Sequence, residues 1–255
     1  RGDDDDQVPW LLELCLVLRE MGVDLEVLAP TYAGLPSHEV RGIPVHRFRY
    51  FTKDREVVTH EAGAMNTMVG RRDLVLPAFS LVGAGMVAAA RLARRERYDA
   101  IHSQWPLPMG LLAEAGARAS GKKPRLVASF HGAEVALARR KRHYRPVLRL
   151  IARNLDAAIA NSSHTAAAVR ELAGVEPAVI PWGPPRGAVD LGRAPERVER
   201  EGSPVVLMVG RLIERKGVPV LVRAAKRLRG RARVVIAGDG EYRPVIEAEV
   251  RRQAL

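Results

Sequence analysis

Short apolar runs alternate with longer amphipathic stretches along almost the whole chain, and this alternation restricts the fold more than any other feature. The apolar runs have the length of strands, and the stretches between them have the period of helices that cover a sheet. Because parallel strands must be joined by such crossovers, the pattern predicts an α/β fold with parallel sheets. The predicted strands are 23–29, 45–51 at a sheet edge, 100–103, 126–130, 157–160, 178–180, 205–209 and 234–237.

The helices between these strands are predicted at 8–21, 74–97, 107–120, 135–154, 163–172, 218–229 and 243–253. Interruptions are expected at Pro77 or the nearby glycines in the second helix, and at Pro146 in the fourth. Ser162 or Ser163 is expected to cap the fifth helix. The apolar segment 74–93 contains two glycines and continues into a basic run, so we interpret it as a buried helix and expect no membrane span.

The βα pattern stops at a polar, proline-rich stretch and then restarts. This predicts an N-terminal Rossmann-like domain at 1–182, a linker at 183–203, and the first part of a second Rossmann-like domain at 204–255. Two strands and two helices are few for a self-sufficient sheet, and α/β domains usually open with a strand. We therefore expect a first strand before residue 1 and more of the second domain after residue 255.

The chain is strongly basic, with 41 Lys and Arg against 29 Asp and Glu and a net charge of +12. Such a surface favours anionic partners, namely phosphate groups, acidic lipid or nucleic acid. Nucleic acid is not expected, because no recognition motif accompanies the charge and aromatic residues make up only 5% of the chain. Cys15 has no cysteine partner for an internal disulfide, which suits a reducing cytoplasm.

The strongest local signal is the segment GRLIERKG at 210–217, which follows a predicted strand and precedes a predicted helix. Gly210 allows a sharp turn at the end of the strand. Arg211 and Lys216 then lie at the carboxyl edge of the sheet, where open α/β folds bind ligands. An arginine fork and a lysine point charge are able to hold a diphosphate from two sides, and a solvated basic turn is the alternative.

Three further turns follow predicted strands. His131, in the segment FHGAE, is able to hydrogen-bond a sugar hydroxyl or a reacting phosphate, or is simply satisfied at a loop corner. The segment IPWGP at 180–184 either shapes a cleft between domains or is a linker turn. The segment AGDGE at 237–241 either contacts a nucleotide or closes a tight turn.

Together these segments resemble a known family. The runs VVLMVGRLIERKGVPVLVRAA and VVIAGDGEYRPVIEAEV resemble the C-terminal domain of the GT-B glycosyltransferases of family 4, also called group 1. The segments LVASFHGAEV, DAAIANSSHTAAAVRELAG and AVIPWG resemble its N-terminal domain in the same order, and VLREMGVDLEVLAP is similar to its second βα unit. The resemblance covers nearly the whole chain apart from 34–80.

The resemblance implies two facing Rossmann-like domains with a nucleotide-sugar between them. It implies that Arg211 and Lys216, with Gly210 at the turn, hold the donor diphosphate and stabilise its charge as it leaves. It places His131 at the reaction centre, beside the donor sugar, as the catalytic residue. The family generally retains anomeric configuration and needs no metal, so no metal site or cofactor is expected. Further contacts to sugar or nucleotide are expected from Gly132, Glu134, Gly183, Gly238 and Gly240.

Two departures from the family pattern bear on activity. The glycine-rich loop that usually follows the first strand corresponds here to RGDDDDQVPW. Asp3–Asp6 are interpreted as an acidic cap of the following helix, with contact to sugar hydroxyls or a cation as the alternative. The family's glutamate pair, E-x7-E, is expected beyond residue 255, so the chain as it stands is expected to be inactive. Glu247 and Glu249 are not assigned that role.

The basic run Arg139–Arg145 lies in the predicted helix 135–154. It is either a solvated helix face or part of a surface, 139–149, that rests on anionic membrane lipid. In the family the N-terminal domain meets the acceptor, which is expected here to be a glycan, a lipid-linked molecule or a small molecule. We expect a cytoplasmic protein that is either free or peripheral to the inner face of the cell membrane. Two alternative functions remain, a nucleotide-sugar 2-epimerase of the same fold and a basic module that binds membrane or nucleic acid.

A dehydrogenase is set aside. The segment that starts at Gly238 begins the dinucleotide-binding pattern G-x-G-x-x-G, but Arg243 stands where its third glycine is required.

Overall fold

Parallel α/β structure makes up both parts of the chain that this computed structural model describes, which covers residues 8–59, 71–183 and 202–254. The first unit comprises Arg1–Asp190 and the second Leu191–Leu255. The α/β prediction is confirmed in each unit. Asp3–Asp6 and most of the predicted linker at 183–203 lie outside the described residues.

The first sheet of the first unit has three strands, β1 (Val27–Pro30), β2 (His38–Val40) and β3 (Ile43–Phe48), in the order β1-β3-β2. Strand β3 pairs parallel with β1 and antiparallel with β2, and Arg41 and Gly42, both with positive φ, close the hairpin. The prediction that segment 45–51 is an edge strand is therefore wrong. The edge position belongs to β2, which is too short to show a sequence pattern.

The second sheet has four parallel strands in chain order, β4 (Ala100–Gln104), β5 (Arg125–Phe130), β6 (Ala157–Ala160) and β7 (Ala178–Val179). The helices that follow β4, β5 and β6 are α3 (Pro106–Ala119), then α4 (Ala133–Arg140) with α5 (Arg145–Arg153), and α6 (Ser163–Ala173). Because the strands are parallel, their carboxyl ends lie at one edge of the sheet. The loops that carry candidate functional residues of this unit therefore share that edge.

Two helices precede this sheet, α1 (Pro9–Glu20) and α2 (Val75–Arg95). The predicted interruption of α2 is wrong, because Pro77 lies in its first turn, where no backbone hydrogen bond is lost. Gly85, inside α2, allows this helix to pack closely against α3. A Cβ atom at position 85 would meet the side chain of Leu112.

The helix predicted at 135–154 is divided at Lys141, between α4 and α5. The break does not fall at Pro146, because that proline lies in the first turn of α5 and starts a helix instead of ending one. The predicted cap of α6 is confirmed, since the Ser162 hydroxyl oxygen accepts a hydrogen bond of 3.2 Å from the backbone N–H of Thr165.

Helix α2 is only half covered by the fold. Residues 72–95 are the one described helical stretch with the length and mean hydropathy, 1.7, of a membrane span. Leu81 and Ala89 are buried, but Leu76 is 65% exposed and Phe79 75% exposed. The interpretation of segment 74–93 as a buried helix is therefore correct for one face only, although the segment has the length and hydropathy of a membrane span.

Two apolar clusters hold the first unit together. One joins β5 and β6 to α4, α5 and α6 around Phe130, which is fully buried. The other joins β3, α2 and α3 around Phe48, Leu81 and Leu112. The carboxyl end of β5, which carries His131, thus rests directly on the main core.

The second unit has two parallel strands, β8 (Val205–Val209) and β9 (Arg233–Ala237), and two helices, α7 (Val218–Leu228) and α8 (Arg243–Arg252). Its core consists of Leu212, Val218, Val222 and Ile246. Leu212 lies in the loop after β8, so this loop is anchored by a buried side chain at its centre.

Candidate active site

His131 lies directly after β5, at the carboxyl edge of the four-stranded sheet. Its Nε2 atom is 2.8 Å from Oε1 of Gln104, the last residue of the neighbouring strand β4. The Gln104 amide nitrogen is 3.2 Å from Nε2 of His102, which also lies 2.8 Å from the Ser129 hydroxyl. Four polar side chains from two adjacent strands thus form one hydrogen-bonded chain.

Matching donors to acceptors along this chain assigns the histidine tautomers. The Gln104 oxygen accepts only, so Nε2 of His131 carries a proton and donates it. Nδ1 of His131 is then a free lone pair, and it is buried without a hydrogen-bond partner among the described residues. A ligand hydroxyl would reach this buried acceptor only if one of the neighbouring side chains moved, so the atom is a candidate contact that requires such a movement.

Glu134, in the first turn of α4, is nearly fully buried and turned towards the backbone of the preceding loop. Its Oε1 accepts a hydrogen bond of 2.6 Å from the backbone N–H of His131. Burial raises the pKa of the Glu134 carboxyl, and hydrogen bonds from backbone N–H groups oppose that rise. Gly132, with φ of 97°, is the N-cap of α4 and makes the turn that allows this contact. Sugar contact by either residue stays a prediction.

The three tryptophans of the chain surround His131. The rings of Trp10 and Trp182 are stacked, with centroids 4.4 Å apart, and Trp105 lies 5.8 Å from Trp10. The centroid of the His131 ring is 4.5 Å from Trp105 and 5.0 Å from each of the other two rings. We call these four residues the tryptophan cluster.

Desolvation in the tryptophan cluster lowers the pKa of His131 from 6.5 to about 4, with a smaller contribution from nearby His102. Desolvation also lowers the pKa of His102. A buried imidazole without a counter-ion favours its neutral form. His131 is therefore neutral at pH 7 and is able to accept a hydrogen bond through Nδ1.

Acidification is expected to destabilise the first unit through His131. The unfolded chain takes up the proton near pH 6.5 and the folded chain only near pH 4, so stability is full above pH 6.5 and falls as pH drops through this range. After allowance for solvent screening, the loss at pH 4 is roughly 1–2 kcal/mol. Urea unfolding at pH 7 and pH 4 measures it.

His131→Asn provides the comparison, because asparagine does not titrate in this range. The variant is expected to lose roughly 1–2 kcal/mol less than the parent between the two pH values. Equal losses in both proteins would show that His131 is protonated as easily in the folded chain as in the unfolded chain.

In the second unit, the loops after β8 and β9 run side by side at the carboxyl end of the strands. The N–H of Gly210 donates to the carbonyl of Ala237 at 3.0 Å, and the N–H of Leu212 donates to the carbonyl of Asp239 at 2.8 Å. Gly238 has φ of 149°, and a Cβ atom there would overlap the carbonyl of Gly210. Glycine is thus required at 238 by both conformation and space.

Gly238→Ala is expected to destabilise the second unit by about 2–3 kcal/mol, because the methyl group forces the two loops apart and φ is strained. Thermal unfolding measures this loss. Gly230→Ala is the control, because Gly230 also has positive φ, at 73°, but a Cβ atom there has no neighbour within 4 Å. A loss in Gly230→Ala as large as that in Gly238→Ala would exclude the close approach of the loops as the cause.

Arg211 and Lys216 lie exposed in the loop after β8. Neither forms an ion pair with a residue that the structure describes. Between them, Leu212 and Ile213 are 4% and 6% exposed and fix the backbone of the loop. Lys216 ends a short 3₁₀ turn, and Gly217 with φ of 71° then caps α7. The two cations therefore flank a rigid segment next to the N-terminus of α7.

The remaining predicted site residues lie in turns, and their roles stay predictions. Gly183 is exposed and follows Trp182, and Gly240 lies alongside the carbonyl of Leu212.

Glu241 and Glu249 have the spacing E-x7-E of the family's glutamate pair. Glu249, however, lies on α8, where hydrogen bonds from Arg252 and Gln253 lower its pKa to about 2. This carboxylate is already satisfied, and we do not assign it to the donor.

The basic run is not one continuous helix face. Arg139 pairs with Glu171 at 2.6 Å, and Arg145 donates to the carbonyl of Ala138 at 3.0 Å. Arg149 donates to the carbonyl of Leu172 at 3.0 Å. Three arginines of the surface 139–149 thus serve contacts within the first unit.

Sequence reasoning did not identify the His102–Gln104–Ser129 chain or the role of Trp10 and Trp105. The available signal was position, since Gln104 and Trp105 lie at and directly after the end of β4, and Ser129 lies one residue before the end of the adjacent strand β5. Trp10 contributes through α1, which no local pattern places beside His131.

Known structures share this fold over nearly the whole chain. An α,α-trehalose-phosphate synthase (UDP-forming) from Burkholderia vietnamiensis matches with a TM-score of 0.65 and 16% identity, over 99% of this chain and 68% of that one. The lipopolysaccharide outer core galactosyltransferase WaaB matches with a TM-score of 0.59 and 15% identity, over 99% and 64%. Anabaena HepE, in complex with UDP and glucose, matches with a TM-score of 0.56 and 17% identity, over 99% and 65%.

The chain thus spans about two thirds of the length of each of these proteins. The fold is that of the GT-B glycosyltransferases. No curated protein sequence matches the chain.

Two family models match the sequence itself. The model Glycosyltransferase Family 4 matches residues 9–184, and the model Glycosyl transferases group 1 matches residues 194–253. The first match covers more than half of the chain. The chain belongs to Glycosyltransferase Family 4, as the sequence resemblance predicted.

Proposed function

We propose that the chain is part of a retaining glycosyltransferase that moves a sugar from a nucleotide-diphosphate donor to an acceptor, and that the chain as it stands is inactive. One observation carries the proposal. Arg211 and Lys216 are exposed at the carboxyl edge of β8, without ion-pair partners among the described residues, on a loop whose centre is anchored in the core.

The charge that develops on a departing nucleoside diphosphate is the main electrostatic demand of this reaction. The guanidinium of Arg211 offers two parallel donors to phosphate oxygens, and the ammonium of Lys216 offers a mobile point charge. The N-terminus of α7 directly follows Lys216 and adds the partial positive charge of its backbone N–H groups. We propose that these groups neutralise the leaving group without a metal ion or cofactor.

His131 is proposed to position the donor sugar. Its Nε2 proton is donated to Gln104, so the Nδ1 lone pair is the remaining acceptor, and we propose that a ring of the tryptophan cluster moves to admit the sugar to it. Desolvation keeps the imidazole neutral at pH 7, so Nδ1 accepts a hydrogen bond from a sugar hydroxyl. Retention of anomeric configuration is carried over from the family.

The acceptor is proposed to be a glycan, a lipid-linked molecule or a small molecule, bound on the side of the first unit. A cytoplasmic location is part of the proposal, because Cys15 has no cysteine with which to form an internal disulfide. UDP is the natural probe, since HepE was solved with UDP and glucose and the trehalose-phosphate synthase is described as UDP-forming.

Calorimetric titration of the chain with UDP and with GDP tests donor binding. Sugar transfer is measured as nucleotide release in a longer polypeptide that contains the chain, because the chain as it stands is expected to be inactive. NMR then gives the anomeric configuration of the product. We expect binding of one nucleoside diphosphate and a product with the anomeric configuration of the donor. Absence of binding to both nucleotides, or release of an epimerised sugar without acceptor product, would contradict the proposal.

A further inference from the structure

A stripe of apolar side chains runs along the exposed face of α2. Five of them, on the side opposite the buried face, are exposed by between 37% and 75%, namely Val75, Leu76, Phe79, Met86 and Val87. Gly83 lies within the same stripe, and a Cβ atom there would have no neighbour within 4 Å, so no residue that the structure describes covers its centre. The stripe is about 18 Å long at 1.5 Å per residue.

The other face of α2 excludes a transmembrane orientation for this helix in the folded unit. Leu81, Gly85 and Ala89 are buried, and Gly85 packs directly against Leu112 and Phe48. A helix held in this way is unable to pass through a bilayer without unfolding the second apolar cluster. It is, however, able to lie in the plane of a membrane surface with its exposed stripe in the boundary region.

Arginines extend the stripe at both ends. Arg72 precedes the helix, and Arg91 and Arg94 follow Val87 by four and seven residues, which is the spacing of one helix face. None of the three forms an ion pair with a residue that the structure describes, and no Asp or Glu occurs between residues 75 and 95. Asp73, which is paired with Arg55 and Arg71, and Glu96 lie beside these ends, where arginines still outnumber acidic residues. An apolar centre with ends of net positive charge is complementary to an anionic lipid surface.

Interfaces with other proteins usually have an apolar centre that is surrounded by a rim of polar residues. The surface 139–149 has no large exposed apolar side chain, and three of its arginines serve internal contacts. We infer that α2, through Leu76, Phe79 and Met86 with Arg72, Arg91 and Arg94, docks the first unit on an anionic membrane surface. This inference is independent of the proposed glycosyl transfer.

Vesicle co-sedimentation tests the inference, with phosphatidylcholine vesicles that contain or lack phosphatidylglycerol. The parent chain is expected to bind the anionic vesicles. Leu76→Ser with Phe79→Ser is expected to weaken this binding about 10–100-fold, because two buried apolar side chains are lost from the boundary region. Each of Arg72→Gln, Arg91→Gln and Arg94→Gln is expected to weaken it about fivefold.

Val220→Ser with Val245→Ser is the matched control, because these valines of the second unit are 59% and 51% exposed. The control is expected to bind as the parent does, and circular dichroism melting checks that each variant folds.

Failure of the parent to bind anionic vesicles would overturn the inference, as would unchanged binding by the Leu76 and Phe79 variant. Loss of binding only in Arg140→Ala with Arg142→Ala would instead assign the membrane contact to the basic run. A dimer that the Leu76 and Phe79 substitutions dissociate, without vesicle binding, would assign the stripe to a second copy of the chain.

Discussion

In a longer, active polypeptide that contains the chain, Arg211→Ala combined with Lys216→Ala is expected to lower kcat/KM for sugar transfer by about three to four orders of magnitude. Each cation is proposed to stabilise charge that develops as the diphosphate departs, and removing one such contact typically costs about 10²–10³ in rate. The two effects are not additive, because both groups act on one leaving group. Initial rates of nucleotide release measure the loss, and calorimetric titration with UDP measures the accompanying loss of ground-state affinity.

The matched control is Lys226→Ala with Arg231→Ala, which removes the same charge from the same unit. Lys226 lies in the last turn of α7 and Arg231 lies just before β9, so both are at the opposite edge of the sheet from Arg211. The control is expected to keep the parent's kcat/KM within about twofold, since distant exposed charges are screened by salt. Equal losses of kcat/KM in both variants would show that net charge causes the effect. Parent-like activity of the Arg211 and Lys216 variant would show that these two residues do not stabilise the leaving diphosphate.

His131→Ala is expected to lower kcat by about 10²–10³ while changing KM for the nucleotide donor little. The lost hydrogen bond from a sugar hydroxyl to Nδ1 matters most at the reacting centre, whereas the nucleotide is held by other groups. Steady-state kinetics with varied donor concentration separates the two parameters. A rise in KM with unchanged kcat would assign His131 to ground-state binding alone.

Two further variants make this result specific. His164→Ala removes an exposed histidine from the first turn of α6 and is expected to leave both parameters unchanged. His131→Asn places a side-chain amide where the imidazole was and is expected to have a kcat about tenfold above that of His131→Ala, because the amide oxygen is able to accept a hydrogen bond in place of Nδ1. Equal rates for the Ala and Asn variants would show that the imidazole acts through packing in the tryptophan cluster.

The sequence predicted the parallel strands well because each is a compact apolar run with a helix after it. The strand 205–209 and the strand 157–160 have the predicted bounds. Strand β2 was missed because its three residues show no apolar run, and its presence is what moves β3 from the edge to the centre of its sheet. Prolines were assigned as interruptions, but Pro77 and Pro146 both lie in first turns, and only the turn position distinguishes the two roles.

The candidate site was partly predictable for a similar reason. His131 was found because it follows a strand directly, and parallel strands bring their ends to one edge. The tryptophan cluster could not be predicted from the sequence. Trp10, Trp105 and Trp182 come from one helix and two separate loops, and only tertiary packing brings their rings together. The unpartnered Nδ1 atom of His131 likewise depends on which side chain its other nitrogen meets.

The gathering of all three indoles around one imidazole gives the chain a built-in optical reporter. Every strongly emitting side chain lies within 5.0 Å, centroid to centroid, of His131, and none lies in the second unit. Ultraviolet emission of the unlabelled chain therefore monitors this one location. Occupancy of the first unit by a sugar ring, or its proton uptake in acid, is thus readable by quenching without attaching a dye.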